Sequence, residues 1–161
     1  MKVLSLYKKA PTMRDLNFPK YEFRYKEMDN QQYIFDIIRK KFVVVTPEEI
    51  VRQHLVHFLI EDRQFPKALI NLEKVIRFNK MIRRFDLMVY DAEVQPLLIA
   101  ECKAPNIPIT QETFEQVATY NLVLQAPYVF VTNGLQHFCC NIDLKKRQFK
   151  YIADIPEYAA L

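Results

Sequence analysis

The run RRFDLMVYDAEVQPLLIAECKAP, residues 83–105, constrains this chain more than any other. Two apolar stretches, 85–90 and 97–103, flank a polar segment at 91–96 that ends in Pro96. This pattern predicts two antiparallel strands joined by a short turn. Pro105 and Pro108 close the second strand. Three ionisable residues, Asp86, Glu101 and Lys103, fall at one end of the hairpin.

Residues two apart on a strand share a face, so Glu101 and Lys103 point one way and Cys102 the other. With the turn centred between Glu93 and Val94, Tyr90 faces Leu97, Met88 faces Ile99 and Asp86 faces Glu101. Two carboxylates set opposite each other repel. A divalent cation between them removes that penalty, and hard oxygen ligands suit Mg²⁺ or Mn²⁺. Such a cation polarises a phosphodiester and lowers the pKa of a bound water. Lys103 would orient that water or neutralise charge in the transition state. A plainer reading stands beside this one. Charges at strand ends are often simply solvated, and Asp143-Leu144-Lys145 repeats the acidic-x-Lys spacing in a predicted turn. Glu101-Cys102-Lys103 differs because it directly follows the apolar run 97–100 and has Asp86 as a cross-strand partner.

Around the hairpin the chain reads as one α/β domain. Its 161 residues are enough for a proper core. Residues 1–20, with Pro11 and Pro19, predict an arm lying across the domain. Alternation over 21–25 and an apolar stretch over 33–38 predict a hairpin with its turn at 28–31. The patch Arg39-Lys40-Lys41 follows, then a short strand over 42–45. Thr46-Pro47-Glu48-Glu49 opens a helix: Thr46 caps, Pro47 suits the first position, and Glu49 completes a capping box. That helix is expected to run to about Asp62, with Val51, Leu55, Phe58 and Leu59 on its core face. Residues 69–77 fit a strand or a short helix, and the strand is the preferred reading. A second helix is expected from Thr110 to Leu124, with Phe114 and Val117 inward, and then a central strand over 128–132. Asn133-Gly134 is a turn signal, and 135–142 with 148–152 forms a last strand pair. The division expected is an arm and hairpin over 1–45 packed on a core over 46–161.

Several functions are excluded or weakened. Gly134 is the only glycine, so neither a P-loop nor a dinucleotide fingerprint can be present. A net charge of +4 is compatible with nucleic-acid binding and proves little. Cys102, Cys139 and Cys140 have no metal-ligand spacing and read as buried thiols. His54 and His57 are three apart on a helix, but no further ligand is spaced to join them, and His137 lies in a distant strand. A core or helix-surface role is the better reading for that pair. No aromatic array points to single-strand stacking. Nothing resembles a leader peptide, and no apolar run approaches the roughly 20 residues that span a bilayer. The expectation is a soluble, cytoplasmic chain with no membrane contact.

At this point the sequence resembles a known family. Asp86 followed by Glu101-x-Lys103 is similar to the signature of the PD-(D/E)xK nucleases. More narrowly, IAECKAP (99–105), QVATYN (116–121) and VFVTNG (129–134) resemble, in that order, the N-terminal domain of type I restriction enzyme R proteins. The likeness spans roughly 46–142. It implies a restriction-endonuclease-like mixed sheet flanked by helices, an αβββαβ core with an extra N-terminal hairpin. It implies Asp86 and Glu101 as metal ligands, Lys103 as the motif lysine, and Mg²⁺ or Mn²⁺ as cofactor. It also matches Gln116 and Tyr120, four apart on one helix face, to a pair that supports the site and contacts the substrate backbone. Packing alone is an equal account of Tyr120.

The first helix of such nucleases often supplies another carboxylate. Glu49 is the candidate, although capping explains it too. Arg52 would reach a phosphate or pair with Glu48. Arg83 and Arg84, beside the site, are the best candidates for the DNA backbone among several basic groups. Phe85 stands where the motif's name has proline. The expected function is a metal-dependent endodeoxyribonuclease acting on DNA in a restriction-like system. It would lack its own ATPase motor and work with separate motor or specificity subunits. The alternative is a catalytically silent nucleic-acid-binding or assembly module that keeps the fold.

Overall fold

The computed structural model describes residues 15–161, so the expected arm falls outside the described residues up to position 14. The elements in order are β1 (Tyr25–Met28), β2 (Gln31–Asp36), β3 (Lys41–Val44), α1 (Pro47–His57), β4 (Ile70–Phe78), β5 (Met81–Tyr90), β6 (Pro96–Cys102), α2 (Gln111–Leu124), β7 (Tyr128–Thr132), β8 (His137–Asp143) and β9 (Gln148–Ile152). From α1 to β7 the order is αβββαβ, as the sequence leads one to expect. Among the described residues no helix is long and apolar enough to cross a membrane.

The main sheet has the order β4-β5-β6-β7-β8-β9. Strands β6 and β7 are parallel and the other pairs antiparallel. The parallel pair requires a crossover, and α2 supplies it. The two helices cover opposite faces of this mixed α/β sheet. Val51, Leu55 and Leu59 join Leu87, Val89, Ala100, Cys102 and Phe130 on one side. On the other, Phe114 and Val117 join Met88, Ile99, Val129 and Val131.

Local chemistry sets the element ends. Thr46 accepts a hydrogen bond from the Glu49 backbone N–H at 3.0 Å, and Pro47 takes the first turn. The reciprocal half of the capping box is not made, because the Glu49 carboxylate turns inward to Arg39, Arg52 and Gln53. After His57 the helix widens into a π-helical turn over Phe58–Asp62. Thr110 caps α2, and Gln125 ends it in a left-handed conformation. The 91–96 turn is organised by Asp91, whose carboxylate accepts from the backbone N–H groups of Glu93 and Gln95.

The N-terminal region departs from the expected hairpin. Strands β1, β2 and β3 form a separate three-stranded antiparallel sheet. Residues 21–24 lie outside β1. Tyr21 and Phe23 pack against His54 and His57, and the Tyr21 hydroxyl donates to Asp62. Strand β2 stops at Asp36, whose carboxylate accepts from the backbone N–H groups of Ile38 and Arg39 at 2.7 and 2.8 Å. Gly134 has φ +84°, and a Cβ there would come within 2.8 Å of Leu16. This close approach lets the segment before β1 run across the β7–β8 turn, where Asn17 N–H donates to the Gly134 carbonyl at 2.7 Å.

Candidate active site at the β5–β6 hairpin

Strand β5 is kinked at Asp86. Its register with β4 pairs Leu72 with Leu87 and Lys74 with Phe85, while Glu73, opposite Asp86, has φ +52° and makes no ladder pair. Phe85 therefore packs with the α2-side cluster and Leu87 with the α1-side cluster, although they are two residues apart. A regular strand would put both on one face. At this break in alternation the Asp86 carboxylate meets Arg52 of α1.

On β6, Met88 faces Ile99 as expected. Tyr90 pairs with Pro96 and not with Leu97, because the register shifts between Val89 and Tyr90. The ladder ends at Leu87–Ala100, one step before Asp86 and Glu101. In place of a further ladder bond, Asp86 Oδ2 accepts from the Cys102 backbone N–H at 2.7 Å. Asp86 and Glu101 are each 9% exposed. Lys103 Nζ donates to Glu101 Oε1 at 3.0 Å, and its backbone N–H is fixed to the Thr132 carbonyl at 2.8 Å.

Electrostatics tie these groups together. Burial pushes the Glu101 carboxyl above its ordinary pKa, and the charge of Asp86 pushes it further. Lys103 and Arg83 oppose that shift. Burial works against the Lys103 ammonium, but the hydrogen bond and charge of Glu101, with Asp86 and Glu48 behind them, hold its pKa above the usual lysine value. In this arrangement the ammonium form of Lys103 is the favoured one. Burial, with the Asp86 charge next, raises the Cys102 thiol well above its ordinary value, so it is no nucleophile at neutral pH.

Arg52 on α1 is 5% exposed and reaches three carboxylates. Its Nη2 donates to Asp86 Oδ1 at 2.9 Å and to Glu48 at 3.1 Å, and its Nη1 bonds Glu49. Glu49 itself is 6% exposed and also accepts from Arg39 and Gln53. It is therefore enclosed in a structural network, whereas Glu48 is partly exposed and its charge acts on both Lys103 and Cys102. Glu49, the helix carboxylate singled out from the sequence, is thus tied to Arg39, Arg52 and Gln53, and Glu48 is the more exposed of the two. Arg39, read as part of a basic patch, turns inward to Asp36, Glu49 and Glu73.

The remaining candidates divide. Arg83 lies with its guanidinium 4.1 Å from the Tyr120 ring centre, and its charge acts on Glu101. Tyr120 also meets Phe85 edge-on at 6.2 Å, so α2 lays that ring against Arg83 and Phe85 of β5. Arg84 points away: its side chain is 64% exposed and lies 3.6 Å from Glu73. Gln116 is exposed, and among the described residues no hydrogen bond joins its amide to Asp86, Glu101 or Lys103. The histidines are absorbed by packing. His54 bonds the Ile50 carbonyl, His57 bonds Glu61, and His137 lies between Thr132 and the Asn17 carbonyl.

Asp86 and Glu101 present carboxylate oxygens, the donor type that a hard divalent cation takes. Among the described residues, no group of three or more Asp, Glu, His or Cys side chains is placed to hold a metal ion. Two buried carboxylates do lie close enough for one to raise the pKa of the other. Mg²⁺ is commonly held by one or two carboxylates, with water and substrate phosphate completing its shell.

A sequence model of the type I restriction enzyme R protein N terminus matches residues 47–156. No curated protein matches the chain. Among solved structures, a fragment described as an HsdR subunit of a type I restriction enzyme from Vibrio vulnificus YJ016 is similar, with 17% sequence identity and a TM-score of 0.48. That likeness covers 70% of this chain and 24% of the other, so the chain spans about a quarter of that relative's length. The family match takes in α1, the whole β4–β9 sheet and α2, well over half of the residues, and the chain belongs to the type I restriction enzyme R protein N-terminal family.

Proposed function

We propose that this chain is a PD-(D/E)xK-type nuclease domain that hydrolyses DNA phosphodiester bonds within a restriction system. The observation that carries the proposal is the grouping of Asp86, Glu101 and Lys103 at one buried end of the β5–β6 hairpin, with Lys103 bonded to Glu101. Asp86 and Glu101 would hold Mg²⁺, or Mn²⁺ in its place. Bound there, the cation supplies Lewis acidity and charge neutralisation at the scissile phosphate.

The chain's own groups do the rest. The Cys102 backbone N–H and Arg52 fix the Asp86 carboxylate at both oxygens. Lys103 stays protonated and donates, orienting a water and offsetting charge that develops on the phosphate. Arg83, held over Tyr120, offers a cation to the DNA backbone. Glu48, at the first turn of α1, is the helix carboxylate best placed to act with this set. Separate motor or specificity subunits are the proposed partners and the cytoplasm the proposed compartment, as the restriction role implies.

Plasmid cleavage with Mg²⁺ or Mn²⁺ tests the reading. Asp86→Ala and Lys103→Ala should each abolish cutting. Cutting that survives both substitutions sinks the site. Salt-sensitive DNA binding without any cutting favours the silent binding module.

A further inference from the structure

The three-stranded sheet has two unlike faces. Ile34 and Asp36 point inward and are fully buried. Alternation and register put Lys26, Tyr33, Phe35, Phe42 and Val44 on the other face, with Arg24 beside Phe35. The outer face of such a sheet is ordinarily polar. Here it carries three aromatic rings in adjacent positions. Phe35 and Phe42 are cross-strand partners with ring centres 5.2 Å apart.

Cations cover these rings. The Arg24 guanidinium sits 3.7 Å from the Phe35 ring centre. Lys26 Nζ sits 5.3 Å from the Tyr33 ring and 4.6 Å from the Phe42 ring. The three rings are half-buried, and strands β1 to β3 themselves put no carboxylate on this face; Glu22, just before Arg24, lies on the same side by alternation. A flat guanidinium on a ring is itself a stacking surface, and a lysine over two rings is placed to meet a phosphate. Aromatic faces interleaved with cations match the bases and backbone of an unpaired strand, whereas a duplex hides its base faces.

We propose that the outer face of the β1–β2–β3 sheet is a platform for single-stranded nucleic acid, stacking bases on Tyr33, Phe35, Phe42 and Arg24 and taking phosphates with Lys26. The inference rests on the reading of this chain as a nucleic-acid-handling protein, but not on catalysis. The Phe35–Phe42 end of the platform adjoins the turn that carries Arg39. Arg39 grips Glu49, Glu49 bonds Arg52, and Arg52 holds Asp86. That network lies behind the platform, reached through Asp36 and Arg39 from the inner face of the same sheet.

The test is fluorescence anisotropy of the full chain with labelled oligothymidylate of about 15 nucleotides, in EDTA to prevent cleavage. Tyr33→Leu, Phe35→Leu and Phe42→Leu keep apolar bulk while removing the stacking face, and melting curves confirm that each is folded. Each should weaken binding about tenfold. Lys26→Gln should lower the slope of log affinity against log salt by about 0.7. An oligonucleotide carrying 5-iodouracil should photocross-link to Tyr33. Unchanged affinity in the folded leucine variants overturns the proposal, as does tighter binding of a polyglutamate probe than of the oligonucleotide. If plasmid cleavage fails while oligothymidylate binding stands, the catalytic reading falls and the platform remains. The reverse result removes the platform alone.

Discussion

Arg52 Nη2 donates to Asp86 Oδ1 at 2.9 Å and so ties the first helix to the kinked strand that carries the candidate site. Both side chains are largely buried. Burial alone would disfavour the guanidinium charge, but the charges of Asp86 and Glu49 hold its pKa above the usual arginine value. The ion pair therefore depends on both carboxylates, and they depend on it. Arg52→Ala would leave Asp86 and Glu49 without their shared cation. The expected loss of folding stability is about 3–5 kcal/mol, read from urea unfolding. Arg52→Lys should recover only part of it, because an ammonium cannot span three carboxylates with a planar fork. An alanine variant as stable as the parent would show the pair to be incidental.

The two glutamates that open α1 should separate function from stability. Glu49→Gln strips charge from a buried network containing Arg39 and Arg52, and should cost about 3 kcal/mol or more. Glu48→Gln changes a partly exposed residue and should alter stability by only about 0.5 kcal/mol. Its charge acts on Lys103, so cleavage should fall by tenfold or more, about 1.4 kcal/mol in the barrier. Paired melting and plasmid-cleavage measurements decide it. A stable Glu49→Gln variant that no longer cuts would reverse the assignment.

Much of this arrangement was legible because strands and helices impose fixed periods. Alternation placed Glu101 and Lys103 together, with Cys102 opposite, and centring the turn between Glu93 and Val94 set Met88 across from Ile99, although it missed the register shift at Tyr90. Capping chemistry located Thr46 and Thr110. What escaped were features set by long-range contacts. Glu73 adopts a left-handed conformation opposite Asp86, and nothing in a glutamate announces that. Arg39 looked like a solvated charge because its partners, Asp36, Glu49 and Glu73, lie in three different segments. The aromatic platform was invisible for the same reason. Tyr33, Phe35 and Phe42 become a surface only when β3 pairs with β2 in the observed register.

The aromatic nest around His54 makes a prediction about pH. The imidazole sits among Phe18, Tyr21 and Phe23, with ring centres 6.0, 6.1 and 4.8 Å away. Burial lowers its pKa below the ordinary histidine value; the hydrogen bond to the Ile50 carbonyl opposes that shift and the charge of His57 adds to it. The folded protein therefore resists taking up a proton that the unfolded chain accepts near pH 6.5. By linkage, stability is full above that pH, declines as pH falls below it, and stops declining once pH is below the folded-state value. His54→Gln removes this titration. Between about pH 7.5 and about pH 5.5, the parent should lose unfolding free energy relative to the glutamine variant, measured by urea unfolding at each pH. The gap should open on the acid side and close on the alkaline side. If the two profiles run parallel across that range, His54 is not the group that couples this nest to the proton.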